Sequence, residues 1–289
     1  MSFKVLIRKT LSISKSMSHS KIEAILENQK YMNMFAQAFT SITYDPINNY
    51  EYMEQIGDVS INKFLINYFY TRFPVLKCTL GVKVVARLKI NYCSKKTFSQ
   101  ISEDLGFFEF INASDEEKQN LRINLLEDVL ESFFGCLEQI LDEKYHIGVG
   151  YAIIYDLLTS IFDTIPISLC YDDLYDAKTR LKELYDLKKS VDNLTGKQLG
   201  DLRYSVFRDD DSGIYTSNVF DTKFKCIGSG ESNKKSEAEQ VSAQNALIFL
   251  SKNKNIFKNV PIEYNEFRSG NREKGNGLSV IFNVIKNST

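Results

Sequence analysis

From Lys21 to about Tyr175 apolar residues recur at intervals of three and four, the spacing of one helix face, and no stretch alternates with the period of a strand. YMNMFAQAFTSI (31–42) has this pattern, and SINKFLINYFYTRF (60–73) sets Phe64, Leu65, Tyr68 and Phe69 on one stripe before Pro74 stops it. SKKTFSQISEDLGF (94–107) opens on Ser94, a candidate N-cap, and closes on Gly106, a candidate left-handed C-cap. LRINLLEDVLESFFGCLEQILDE (121–143) and YAIIYDLLTSIFDTI (151–165) are two further amphipathic helices. The pattern changes after Asp176. DAKTRLKELYDLKK (176–189) predicts a helix, and a polar, glycine-containing connection (190–201) follows. LRYSVF (202–207), IYTSNVF (214–220) and TKFKCIG (222–228) predict three short strands. SNKKSEAEQVSAQNALIFL (232–250) predicts a helix capped by Ser232. The fold class expected is an all-α domain followed by a small α-β-β-β-α domain. The tail from Lys252 is expected to be loosely ordered, with LSVIFNVI (278–285) its one docking segment.

Composition narrows the chemistry. The 289 residues suffice for one large domain or two modest ones, and no apolar run reaches the roughly 18 residues that span a bilayer, so a soluble protein without membrane partners is expected. Five scattered cysteines (Cys78, Cys93, Cys136, Cys170, Cys226) fit neither a zinc cluster nor a disulfide framework and point to a reducing, cytoplasmic setting. With only His19 and His146, chemistry must run on carboxylates. The net charge of −1 hides an asymmetry: residues 1–175 hold 17 basic against 22 acidic side chains, residues 176–289 hold 19 against 15. The basic half is the one suited to a polyanion. Residues 1–22, serine-rich with Lys4, Arg8, Lys9, Lys15 and Lys21 and no acid, read as a basic N-terminal arm, with a mitochondrial transit peptide as the alternative.

Two acidic stretches stand out. In EYMEQIGD, Glu51, Glu54 and Asp58 share one helix face; in LEDVLES, Asp128 and Glu131 share another. Apolar neighbours crowd both, which makes the acids costly to desolvate unless a cation compensates them. Two helices presenting paired carboxylates offer the hard oxygen ligands that magnesium favours, and a pair of ions about 4 Å apart would clamp the attacking and leaving oxygens of a phosphodiester. Acids three apart are also commonplace on wet helices, and spacing alone leaves both readings open.

The wording of the segments goes further. EYMEQIGDVSI resembles the ribonuclease III signature, roughly E-x-L-E-F-L-G-D-A-V-L. AQAFTSI (36–42), YFYTRFPVL (68–76), ISEDLGF (101–107) and LEDVLESFFGCLEQILDE (126–143) are similar to further blocks of that family, in the family's order, over about residues 35–145. The resemblance implies a ribonuclease III-like endonuclease domain over 23–172. It places Glu54, Asp58, Asp128 and Glu131 on the family's magnesium ligands, manganese being the substitute, and Glu51 on its first signature glutamate, linked to the dimer interface and cleavage site. There are departures: Gln55 stands where the family has a dimer-contact aromatic, CTLGV (78–82) replaces an acid-rich stretch, and Ser41 replaces a histidine.

The second domain, 176–252, resembles a double-stranded-RNA-binding domain through DAKTRLKELYD (176–186) and IGSGESNKKSEAEQVSAQNAL (227–247). Lysines in the first turn of a helix add side-chain charge to a backbone already favourable to anions. The resemblance implies phosphate contacts from Lys234 and Lys235 and minor-groove contacts from Thr179 and Glu183. Asp209, Asp210 and Asp211 occupy a turn that meets the minor groove in that family, so weaker and more salt-sensitive binding is expected.

Together these imply a magnesium-dependent endoribonuclease that cuts double-stranded RNA to 5′-phosphate and 3′-hydroxyl ends, acts as a homodimer, and needs no nucleotide cofactor. The alternatives are a non-catalytic scaffold or sequestering protein of the same fold, and a nuclease active only beside a different subunit. Cleavage on adding magnesium separates the first from the second, and the oligomeric state of the active species isolates the third.

Overall fold

The computed structural model describes residues 1–191, 201–221 and 223–252, with side chains through 186 in the first stretch, and divides into two compact units meeting at residues 167 and 168. The first is helical: α1 (Phe3–Leu11), α2 (His19–Leu26), α3 (Gln29–Ala38), α4 (Glu51–Arg72), α5 (Thr79–Tyr92), α6 (Lys95–Leu105), α7 (Asp115–Asn120), α8 (Arg122–Lys144) and α9 (Val149–Phe162). Its axis is the α4–α8 pair, the most extensive pairing of elements in the chain, with α6 and α9 also laid along α8. Two aromatic clusters fill the space around that pair. Phe35, Phe39, Phe107 and Phe134 gather about Phe133, while Tyr68, Tyr155 and Phe162 gather about Phe64. Gly106 closes α6 in the left-handed conformation (φ 83°) and Ser94 caps its start, as the sequence predicts.

The first 22 residues differ from the expected arm. They form α1 and the start of α2, and Leu6, Ile7 and Leu11 are completely buried. The basic count conceals this short apolar stripe. One of its charges is locally answered: Arg8 donates to both carboxylate oxygens of Glu23 at 2.7 and 2.9 Å. Beyond α1, Asp156 on α9 accepts from the Ser14 hydroxyl (2.6 Å) and the Ser16 backbone N–H (2.9 Å). A further helix the periodicity did not predict is α5, capped by the Cys78 sulfur rather than by an oxygen.

In the second unit α10 (Tyr171–Leu174) and α11 (Ala177–Val191) precede an antiparallel sheet of order β1-β2-β3, and α12 (Lys235–Ser251) follows it. The strands are β1 (Arg203–Arg208), β2 (Tyr215–Phe220) and β3 (Cys226–Ser232). Leu181, Leu184, Val219, Ile227, Ala246 and Leu250 belong to one core shared by α11, the sheet and α12. The third strand starts later than the expected 222–228. Asp221 accepts from the N–H groups of Lys223 and Lys225, a local turn that takes up the intervening residues. Ser232 therefore ends β3 instead of capping α12, whose N-cap is Lys234. Most of the 190–201 connection and the tail with LSVIFNVI fall outside the described residues.

Candidate active site

The candidate carboxylates ride on the α4–α8 crossing, where the two backbones nearly touch. A Cβ placed on Gly57 would stand 1.8 Å from the Glu131 carbonyl oxygen, and one on Gly135 would stand 1.9 Å from the Met53 carbonyl oxygen. Only glycine permits that approach. Glu54 lies one turn before this contact on α4 and Asp58 directly after it. Glu131 is at the contact on α8, and Asp128 lies one turn earlier.

Burial and mutual repulsion raise the pKa values of three of these carboxyls. Desolvation, then the charges of Asp58, Glu127, Glu54 and Asp128, pushes Glu131 up to about 8, and its side chain is only 8% exposed. Desolvation followed by Asp128, Glu51, Glu127 and Asp58 raises Glu54 to about 7. Asp128 rises to about 6, again chiefly by desolvation, with its Tyr50 hydrogen bond opposing. Glu54 thus feels the charges of Asp128 and Asp58, and Glu131 those of Asp58, Glu54 and Asp128, while Glu51 is exposed at the start of α4. No ion pair compensates any of the four among the described residues.

Five neighbours complete the arrangement, and the sequence reading singled out none of them for it. Tyr50, buried, donates its hydroxyl to Asp128 Oδ2 at 3.2 Å. Asn62 donates from Nδ2 to the carbonyl oxygen (2.8 Å) and to the Oδ1 of Asp58. The Cys93 thiol donates to Asn62 Oδ1 at 3.4 Å, and burial with the nearby charges of Asp58 and Glu131 pushes it up to about 11. Glu127, adding its charge to the cluster, is paired with Lys95 at 2.6 Å. Glu127 stands beside Asp128 in the sequence and Asn62 lies one turn after Asp58 on α4, so both were open to notice; Tyr50, Cys93 and Lys95 are recruited by tertiary packing.

Oxygen-only donors that are buried or half-buried, without an ion pair of their own among the described residues, and mutually repelling suit a hard divalent cation better than any neutral ligand. Among the described residues, however, no three His, Cys, Asp or Glu side chains are drawn together tightly enough to hold a metal ion as they stand. The carboxylates would have to draw closer together to hold one.

At the positions departing from the family pattern, Gln55 is exposed, and Ser41 is buried and donates to Glu117 at 2.7 Å. His146, one of the two histidines, is exposed. In the second unit Lys234 and Lys235 are exposed at the start of α12, Lys234 pairing with Glu237 at 3.1 Å. On α11, Thr179 is bonded to Asp176 in the first turn, and Glu183 accepts from Tyr171, so the latter is less free than expected. Asp210 and Asp211 are exposed in the β1–β2 turn. Asp209 holds that turn together by accepting from the Ser212 hydroxyl (2.6 Å) and the Asp211 N–H (3.2 Å). Among the described residues no helix is long and apolar enough to cross a membrane.

Residues 51–139 match the family model of the ribonuclease III domain. A protein of Invertebrate iridescent virus 6, provisionally named ribonuclease 3, is 38% identical over 282 residues, covering 92% of both chains. A protein of Frog virus 3 (isolate Goorha) with the same provisional name is 41% identical over 62% of this chain and 48% of its own length. The ribonuclease 3 of Lactobacillus acidophilus is 30% identical, covering 74% of this chain and 89% of the bacterial one.

Proposed function

Because the chain belongs to the ribonuclease III family and is an endoribonuclease of that kind, we propose that it cuts double-stranded RNA with the carboxylates of the α4–α8 crossing. Glu54, Asp58, Asp128 and Glu131 would hold magnesium, or manganese in its place. The observation that carries this reading is the seating of these carboxyls about the Gly57–Gly135 contact, where burial and neighbouring charges raise Glu54, Asp128 and Glu131 and no ion pair joins any of the four among the described residues. When bound, a divalent ion supplies Lewis-acid polarisation of the phosphate and a hydroxide at neutral pH. The chain's own share is positional. Tyr50 steadies Asp128, Asn62 steadies Asp58, and the Gly57–Gly135 contact fixes the spacing of the two helices. Glu51, exposed at the start of α4, sits at the rim where substrate and a partner subunit would meet. The products would carry 5′-phosphate and 3′-hydroxyl ends.

One such cluster serves one strand, so cleavage of both strands calls for two copies facing each other, and a homodimer is part of the proposal. The second unit is proposed to be the double-stranded-RNA-binding domain. Its α-β-β-β-α order and the exposed Lys234 and Lys235 at a helix start support that assignment, while Thr179 and Glu183 would face the minor groove.

The test is Glu131→Gln with an end-labelled duplex and magnesium. The variant keeps the side-chain volume but loses the charge, and cleavage should fall by about 100-fold or more while the fold is retained. Cleavage at the parent rate would overturn the reading. Activity appearing only beside a different subunit would overturn the homodimer.

A further inference from the structure

Asn62 is bound at both ends, and its two ends are chemically different. Its amide nitrogen donates to Asp58 twice, to the main-chain oxygen at 2.8 Å and to carboxylate Oδ1. Its amide oxygen accepts from the thiol of Cys93 at 3.4 Å. The first contact alone would be an ordinary pair one turn apart on a helix, free to swing. The second arrives from the junction of α5 and α6. Turned over, Asn62 would set its oxygen against the Asp58 carboxylate and its N–H₂ against the sulfur, losing the charge-assisted bond. The Asp58 oxygens thus select the orientation that gives them a donor, and the Cys93 thiol anchors the other end of the amide by donating to its oxygen.

A neutral donor has a further consequence. A lysine or arginine at position 62 would satisfy Asp58 by neutralising it and would compete with any cation. An amide fixes the carboxylate rotamer without neutralising it, and among the described residues it leaves Oδ2 without a hydrogen bond.

On the reading that Asp58 is a metal ligand, we infer that Asn62, anchored by Cys93, is a positioning residue that holds Asp58 in place for the divalent cation. Partners of metal ligands of this type are worth about 10- to 100-fold in metal affinity. The inference is tested by titrating the full chain with Mn²⁺ and following the free ion by electron paramagnetic resonance, alongside the magnesium dependence of cleavage. Asn62→Ala should raise the Mn²⁺ concentration for half-saturation about tenfold or more. Cys93→Ala should weaken binding in the same direction, and Cys93→Ser, which keeps a donor, should restore it.

Asp58→Asn separates the two levels of the argument. If Asp58→Asn loses Mn²⁺ affinity while Asn62→Ala and Cys93→Ala bind as the parent does, the positioning role is refuted and the metal site stands. If Asp58→Asn also binds as the parent does, the metal site is refuted and the positioning role goes with it. Should Asn62→Ala fail to fold by circular dichroism, the Cys93 pair decides: equal affinities for alanine and serine overturn the inference.

Discussion

Alanine at position 57 is the sharpest perturbation this fold offers. Its Cβ would lie 1.8 Å from the Glu131 carbonyl oxygen, 2.5 Å from the carbonyl carbon and 3.0 Å from the Gly135 nitrogen. Ordinary contact begins near 3.4 Å, so α4 and α8 must part by about 1.6 Å at their crossing. Every atom involved is main chain, and no side-chain rotation relieves the clash. Alanine gains about 1 kcal/mol over glycine in helix propensity, but overpacking a core costs about 1–3 kcal/mol, and more where backbone has to move. A net loss of about 2 kcal/mol is expected, read as a lower urea midpoint at unchanged slope. The same displacement widens the gap between the acids of the two helices, and an error of about 1 Å in such a site costs on the order of 100-fold in rate. Cleavage of a labelled duplex is therefore measured at a temperature where circular dichroism shows the variant fully folded. Gly148→Ala is the control. Its φ of 96° strains an alanine by about 1–2 kcal/mol, yet nothing lies within 4 Å, so cleavage should persist. A Gly57→Ala protein with the parent's midpoint and the parent's rate would refute the close-contact argument.

Three other outcomes follow from the same geometry. Glu131, Glu54 and Asp128 bind protons more tightly folded than unfolded, so without divalent ions their contribution is complete below the unfolded values near 4 and is lost as pH rises through about 6 to 8. In chelator the melting temperature should fall across that range, and magnesium should raise it more at pH 8 than at pH 6; a flat profile would refute the coupling. Deleting residues 2–17 removes Leu6, Ile7 and Leu11 from the core at roughly 2 kcal/mol each. The shortened chain should unfold at a much lower urea midpoint, and an unchanged midpoint would show that α1 does not hold the unit together. Asp210→Asn with Asp211→Asn leaves the Asp209 turn bonds in place and should tighten duplex binding several-fold. Unchanged binding would mean that this turn does not meet RNA.

Much of the helical unit was legible because its boundaries carry local signals. Ser94 and Gly106 bracket α6, Pro74 follows α4, and the stripes of α4 and α8 run for over 20 residues. The misses share a physical cause, a weak signal read at too coarse a scale. The buried trio of α1 is three residues among many charges. In α5, Val84, Val85 and Leu88 make a short stripe behind a sulfur cap. β3 was displaced by the turn at Asp221, whose hydrogen bonds were not foreseen. In the candidate site, the four acids were legible as paired residues on helix faces. Their partners were not, because Cys93 and Lys95 reach the cluster from another pair of helices and no local spacing encodes that arrival.

The hydrogen bonds from Ser14 and Ser16 to Asp156 bear on how the protein is made. The early helices leave the ribosome well over a hundred residues before the carboxylate that fastens them, and translation at about 5–20 residues per second makes that interval at least several seconds. Through that time Leu6, Ile7 and Leu11 have no finished core to enter, and they are exposed to chaperones, proteases and neighbouring nascent chains. Completion of the helical unit is thus timed by the synthesis of its last helix.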